Sequence, residues 1–531
     1  MQNYPLTVDR FIDHAAAWSA NGVVEALPDG RRVLVSYADV RERANRMSGA
    51  LAALELEFGE RVGTLAWNTR HHLEIYYATM GLGLVCHTLN PRLTVAQLAA
   101  MVCEAEDAAL TVAPDLLPLA FELVALCPSV RHVIVLDEPS AMAATPNGVP
   151  VWDYEDLLAE KGSPAAWGAF DENAPAGLCY TSGTTSEPKG VLYTHRSNYL
   201  HTLRSLLADA FAITATDVVL LAVPMFHANG WGLPFSVPAA GARMVLPGRN
   251  LKGDALVSLM RDEKVTIAVG VPTVWTGVLD RLERDGSSLP ALDRLLVGGS
   301  TCPESLIRRA ERSGVRVQTS WGMTELSPLG TVTPPAASDD KAGCSGRPPV
   351  GLEIKLTDSA GVALPEQRGQ IGHLRVKGIA VIDRYFNNDD FVIDEEGFFD
   401  TGDLAMIDDD GDLTICGRSK DLIKSGGEWI NPAAMEAIVG AQPSVDAVAV
   451  IGRSDEKWGE RPVLVVQSHR GCALDRSALI DCLRGKVADW WLPSEVAEIA
   501  EMPLAATGKI DKVRLREQFE DGALRVESIA G

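Results

Sequence analysis

The stretch at 61–66, RVGTLA, is a short β-rich run, and just beyond it Leu73, Tyr76, Tyr77 and Met80 recur at i, i+3, i+4 and i+7. The first pattern predicts a strand and the second one apolar face of a helix. Strand-like runs return at 109–112, 132–136, 218–223, 243–246, 266–269, 294–297 and 315–319, several separated by helical stretches such as 303–313. Such alternation predicts an α/β architecture of largely parallel sheets with helices on both faces. Residues 176–180 are apolar, and 191–207 read as helical. From 343 to 415 short runs are split by Gly, Asp and Pro turns, such as LTDSAGVALPEQRG and IDDDGD, which predicts a small antiparallel β unit. Beyond GRSKD at 417–421 comes another unit, with strands expected at 447–451 and 463–467 and helices at 477–488 and 512–519. The expected division is 1–419 and 420–531.

Composition narrows the classes. Hydrophobic residues make up 47% and charged residues 22% of 531, the balance of a globular protein. With 48 basic against 71 acidic residues the net charge is −23, which argues against non-specific binding to nucleic acid or membranes but leaves room for a local basic pocket. No secretory leader is expected from MQNYPLTVDRFIDHAAAW, and no uncharged apolar run reaches the length of a membrane span. Nine dispersed cysteines without a CxxC predict free thiols in a reducing compartment, hence the cytoplasm.

Residues 180–190 read YTSGTTSEPKG. Glycine lets backbone N–H groups approach a ligand, hydroxyls add donors for phosphate oxygens, and Lys189 adds a point charge. The loop is not GxxxxGK[ST], so the usual P-loop is excluded. Composition alone leaves a phosphate cradle and a solvated surface loop open.

The exact string resembles the phosphate-loop signature of the adenylate-forming superfamily: acyl-CoA synthetases, luciferases and stand-alone adenylation domains. Further matches follow in the family's order: VPMFHANGW (223–231), VPTVW (271–275), LLVGGS (295–300), SWGMTE (320–325), GRP (346–348), FDTGDLA (399–405), GRSKDLIKSGGEWINP (417–432) and TGKIDK (507–512). The start, PLTVDRFIDHAA, and HTLNPRL at 87–93 are similar to the fatty-acyl branch, and MFHANGWGLP (225–234) with GGEWINP (426–432) most resemble medium- and long-chain fatty acyl-CoA ligases and 3-methylmercaptopropionyl-CoA ligases. The resemblance implies a large N-terminal α/β domain with a small β-barrel-like unit, and a smaller, mobile α+β C-terminal domain hinged at Lys420.

It also implies two half-reactions, in which a carboxylate and ATP give an acyl-adenylate and CoA then displaces AMP. Thr181, Ser182, Gly183, Thr184, Thr185 and Lys189 would hold the phosphates. Glu325 and Thr181 would hold Mg²⁺, and Thr324 the α-phosphate. Gly298, Gly299, Ser300, Ser320 and Trp321 would receive adenine, and Asp403 with Arg418 the ribose. His227 would shape the carboxylate site and Trp231 the acyl pocket. Lys509 would serve adenylation, while Lys424, Gly426, Gly427, Glu428 and Trp429 would line the CoA path. Two departures stand out: Ser186 where the family loop has glycine, and Trp321 where tyrosine is usual. Outside the resemblance these residues read as turns, core aromatics and surface charges. Carrier-protein loading, or a regulatory protein with a dead nucleotide site, are the alternatives. Many relatives are dimers, so a homodimer is an expectation of the resemblance alone.

Overall fold

Val219 and Leu221 pack into one core while Leu220 and Ala222, on the opposite face of the same strand, pack into another. Ile134 and its neighbours Val133 and Val135 divide in the same way. A strand buried on both faces needs helices above and below it, and that requirement dictates the layers. The computed structural model describes residues 1–137, 145, 147–181, 188–335, 343–426, 428–469, 472, 474–504, 510–524 and 526–528.

One sheet runs, in spatial order, through Val151–Asp153, His132–Val135, Ala109–Val112, Arg61–Leu65, Val85–Thr88, Pro175–Tyr180 and Gly190–Thr194. All its neighbours are parallel except the last pair. A second sheet runs through Leu329–Val332, Arg316–Gly322, Arg294–Val297, Ile267–Gly270, Val218–Leu221, Arg243–Leu246, Gly22–Ala26 and Arg32–Ser36, parallel at its centre and antiparallel at both edges. The inward faces share one core with helices Asp9–Trp18, Tyr37–Ala53 and Arg70–Leu82. Helices Val95–Ala105 and Leu117–Leu126 cover one outer face; Gly253–Glu263, Pro272–Asp285 and Glu304–Arg312 cover the other.

Three expectations change. Helix Arg70–Leu82 has Leu73, Tyr76, Tyr77 and Met80 inside, but everything from His71 to Gly81 is buried because the helix lies between two sheets. Its polar groups are accordingly paired: Glu74 accepts from Arg43 at 3.0 Å and from the Tyr154 hydroxyl at 2.6 Å. The region 191–207 is not one helix. Gly190–Thr194 is a strand paired with Pro175–Tyr180, and Thr194 then caps the helix His195–Ser205 by accepting from Ser197 N at 3.0 Å. The β-branched and aromatic content of Val191–Leu192–Tyr193–Thr194 suits a strand, and pairing decides it. The helix expected over 477–488 spans only Arg476–Asp481; turns follow, with Gly485 at φ +72°.

The small β unit is an antiparallel sheet in the order Leu352–Thr357, Ile371–Gly378, Phe399–Ile407 and Leu413–Arg418. The next strand, Ile423–Ser425, belongs to a different, six-stranded sheet. The short turn Ser419–Asp421 connects the two. No helix among the described residues is long and apolar enough to cross a membrane.

Candidate active site

Pro175–Tyr180 carries the chain up to Thr181 and Gly190–Thr194 carries it back, so the hydroxyl-rich loop sits at the open end of an antiparallel pair. Its mouth is closed twice: Thr181 N–H donates to Lys189 O at 2.9 Å, and Lys189 N–H donates to Thr181 Oγ1 at 3.2 Å. Ser182, Gly183, Thr184 and Thr185, and the departure at Ser186, lie outside the described residues. Lys189 is exposed, with Nζ 4.7 Å from the centre of the Tyr385 ring.

Glu325 follows strand Arg316–Gly322 in the turn Thr324–Leu326, and its backbone is fixed on both sides. The Tyr193 hydroxyl donates to Thr324 O at 2.7 Å, and Ile382 N–H donates to Glu325 O at 3.1 Å. Burial raises the Glu325 carboxyl above its ordinary range; the Tyr385 hydroxyl, donating to Oε1 at 3.0 Å, and the charge of Arg418 oppose this in part. A buried carboxylate near the Thr181–Lys189 mouth through Tyr385 is a hard donor that suits Mg²⁺.

Asp403 and Arg418 face each other across strands Phe399–Ile407 and Leu413–Arg418. Arg418 Nε stands 2.8 Å from Asp403 Oδ1, and the Trp321 indole N–H donates to Oδ2 at 2.9 Å. Trp321 is buried, with its ring against Gly330: a Cβ there would meet Cε3 and Cζ3 at 2.4 Å. Trp321, Asp403 and Arg418 thus form one bonded unit.

Gly298 and Gly299 follow strand Arg294–Val297, Gly299 at φ +80°. Ser320 Oγ donates to Val297 O at 3.1 Å and crowds Gly298, while Ser300 beyond them is exposed. The face of these glycines expected to carry adenine is met by Trp231, whose ring carbons would lie 3.1–3.3 Å from a Cβ on either one. Trp231, expected in the acyl pocket, thus lies against the two glycines expected to receive adenine. It belongs to a left-handed turn: Ala228, Asn229, Gly230, Trp231 and Gly232 have φ of 40°, 41°, 64°, 57° and 72°. His227, half-buried, opens that turn, its carbonyl accepting from Gly230 N–H at 2.9 Å. The Tyr77 hydroxyl donates to Pro234 O at 2.7 Å, and that of Tyr76 to Met225 O, which anchors both ends of the segment to the central helix.

In the C-terminal unit Lys424 and Trp429 are cross-strand partners, Nζ 5.4 Å from the ring centre. Glu428 beside them is exposed, Gly426 adopts φ +61°, and Gly427 lies outside the described residues, as does Lys509. Gly426 N–H donates to Trp458 O at 2.7 Å, which brings a second exposed indole, with Lys457 Nζ 4.5 Å from its ring, beside the hairpin. Lys420 is exposed in the turn Ser419–Asp421, and partial desolvation there lowers its ammonium pKa.

Sequence reasoning missed Tyr385, Asn229, Lys457 and Trp458. Tyr385 lies in RYFNN, a stretch without periodicity, and only the fold brings it to Glu325. WGE at 458–460 carried no signal beyond an exposed aromatic in a turn.

The AMP-binding enzyme family matches residues 13–386, and its C-terminal domain family matches residues 434–509. A 3-methylmercaptopropionyl-CoA ligase of Ruegeria lacuscaerulensis is 42% identical over 98% of both chains. A medium-chain-fatty-acid–CoA ligase of Ectopseudomonas oleovorans is 40% identical over 99% of this chain and 98% of its own. The o-succinylbenzoate CoA synthetase of Bacillus subtilis, solved with ATP and a magnesium ion, superposes with a TM-score of 0.80 at 25% identity, covering 95% of this chain and 99% of that one. With family matches to both parts of the chain and relatives aligned along nearly all of it, this protein belongs to the AMP-binding enzyme family.

Proposed function

We propose that this chain is an AMP-forming acyl-CoA ligase. It joins a carboxylic acid to CoA with conversion of ATP to AMP and diphosphate, through an acyl-adenylate. The acid is a fatty acid or 3-methylmercaptopropionate, in keeping with the names of two relatives at 42% and 40% identity. The observation that carries this reading is the meeting of distant segments: Thr181 and Lys189 with Tyr385 and Glu325, and Trp321 with Asp403 and Arg418.

In the first half-reaction a carboxylate oxygen attacks the α-phosphorus and diphosphate leaves. An anion then approaches a polyanion, so the residues around it must offset repulsion. Lys189 and the 181–185 loop hold the β- and γ-phosphates, Thr324 the α-phosphate, and Asp403 with Arg418 the ribose. Trp321 with Gly298, Gly299, Ser300 and Ser320 receives adenine. Glu325 and Thr181 supply hard oxygens for Mg²⁺, which when bound neutralises phosphate charge. Lys509 stabilises the developing charge at the α-phosphorus. His227 shapes the carboxylate site without acting as a base, since an ionised acid has no proton to lose.

In the second half-reaction the CoA sulfur attacks the acyl carbon and AMP leaves. Lys424, Gly426, Gly427, Glu428 and Trp429 line the CoA path, and Trp458 and Lys457 extend it, because exposed indoles beside ammonium groups suit a nucleotide's flat base and its phosphates. The division at residues 419/420 and the rotation about Lys420 bring these groups to the adenylate. The cytoplasm, which supplies ATP, CoA and a reducing milieu for the nine free cysteines, is the compartment we assign.

The test is ATP–diphosphate exchange and thioester formation across acids from acetate to palmitate plus 3-methylmercaptopropionate, with and without CoA. Acid-dependent exchange with thioester only when CoA is added is expected. Exchange without any thioester points to carrier-protein loading, and neither activity points to a dead site.

A further inference from the structure

Tyr385 stands between Glu325 and Lys189, which the reading above assigns to the nucleotide site, and it lies outside the strings quoted from the sequence. Its hydroxyl donates to Glu325 Oε1 at 3.0 Å, and its ring faces the Lys189 ammonium at 4.7 Å.

The segment around Tyr385 is fastened on both sides of the site. Ile382 N–H donates to Glu325 O at 3.1 Å, and Phe386 N–H donates to Gly190 O at 2.8 Å on the strand that leaves the phosphate loop. Asn387 Nδ2 donates to Glu104 O at 3.0 Å. Gly190 permits the close approach, since a Cβ there would stand 2.9 Å from Phe386 Cβ. Tyr385 is thus held by backbone bonds to both the Glu325 turn and the loop strand.

We infer that Tyr385 is a positioning residue for nucleotide and metal binding: its hydroxyl orients the Glu325 carboxylate toward a cation, and its ring holds the Lys189 ammonium at the loop mouth. The inference rests on the reading of Glu325 and Lys189 as nucleotide-site residues given above. Both charges are then placed before ATP arrives, and less ordering remains to oppose binding.

Two variants separate the two functions. Tyr385→Phe keeps the ring and its packing but removes the hydrogen bond; Tyr385→Leu removes both. Calorimetric titration with ATP, once with excess Mg²⁺ and once with EDTA, reads each contribution without turnover. Tyr385→Phe is expected to weaken ATP binding about tenfold with Mg²⁺, the lower end of what a hydrogen bond to a charged group contributes, and to leave binding in EDTA unchanged. Tyr385→Leu is expected to add a further loss of about two- to fivefold in both conditions, as an exposed cation–π contact allows. In a Glu325→Gln background, Tyr385→Phe should have no further effect on the Mg²⁺-dependent part.

A purely structural tyrosine would weaken binding equally with and without Mg²⁺, and that result overturns the inference. So does a Tyr385→Phe variant that binds Mg²⁺ and ATP as the unaltered chain does. Failure of the unaltered chain to bind ATP overturns the functional reading along with it, whereas the two results above overturn this one alone.

Discussion

A carboxylate as deeply buried as Asp403 needs donors on its oxygens, and here an indole N–H serves one and a guanidinium the other. Each carboxylate oxygen has two lone pairs and can accept from more than one donor. Asp403→Asn keeps the shape but sets an amide NH₂ against one of those donors. We expect KM for ATP to rise at least tenfold in diphosphate exchange, with Trp321→Phe giving a smaller rise because it deletes one donor and keeps the ring. Sequence strings located Asp403, Arg418 and Trp321 singly; that they bond to each other depends on the register Asp403↔Arg418, which no string encodes. Glu25 was illegible altogether. Burial and then the charge of Asp137 push its carboxyl up to about 7, and they outweigh Arg70 at 3.2 Å and the nearby His71. The folded chain therefore keeps a proton that the unfolded chain releases above the ordinary value of 4.5. Stability from this group is full below that value and is lost as pH rises through about 7. Glu25→Gln, which cannot ionise, should match the unaltered chain near pH 4.5 and exceed it at pH 8 by up to about 3 kcal/mol in urea unfolding. An equal effect at both pH values would show that packing, not ionisation, is what changed.

Five consecutive left-handed residues in an element that must present a tryptophan need a clamp, since each L-residue there costs roughly 1–2 kcal/mol. Asn229 provides it. Its N–H donates to Cys179 Sγ at 3.2 Å, and its Oδ1 accepts from Thr88 Oγ1 at 3.0 Å and from the Cys179 thiol at 2.6 Å. Gly177 leaves room for the amide: a Cβ there would stand 2.2 Å from Asn229 Nδ2. Asn229→Ala releases the clamp and Gly177→Ala pushes on it from the strand side, and both should unseat Trp231. The expected outcome is a change in the kcat/KM ratio between short- and long-chain acids of about ten- to a hundredfold, the range a hydrophobic pocket commands, larger than any change in KM for ATP. Unchanged acid ranking in both variants would reduce the turn to a structural feature. MFHANGW announced a functional segment in the sequence, yet its handedness was not legible, because three of the five residues have a Cβ and only tertiary bonds hold them there. The strand Gly190–Thr194 was misread for a related reason: its run of four apolar or β-branched residues is too short to show a period, and its partner decides its state.

At the scale of the whole molecule, alternating strands and helices were readable because doubly buried strands are apolar on both faces. The joining of two sheets around one core was not, since Gly22–Ala26 pairs with Arg243–Leu246 from far along the chain. The largest functional consequence lies past the turn Ser419–Asp421, where the chain leaves one sheet for another and Arg516 fastens Asp421 at 2.9 Å. Lys509 and the hairpin of Lys424 and Trp429 share the C-terminal unit, but adenylation and thioester formation need different neighbours at one adenylate. If that unit turns between two poses, its residues should divide by half-reaction. Lys509→Ala removes charge at the α-phosphorus, and every 1.36 kcal/mol lost is a factor of ten in rate. It should therefore stop acyl-adenylate formation yet still convert supplied acyl-adenylate and CoA to thioester. Trp429→Ala and Trp458→Ala should do the reverse, preserving diphosphate release while slowing thioester formation. Lys420→Pro fixes φ in the connecting turn, which should hold one pose and spare only one half. Single-turnover measurement of each half-reaction on folded variants separates these outcomes. Equal slowing of both halves by Lys509→Ala, or intact adenylation without that ammonium, would rule out a two-pose mechanism for this chain.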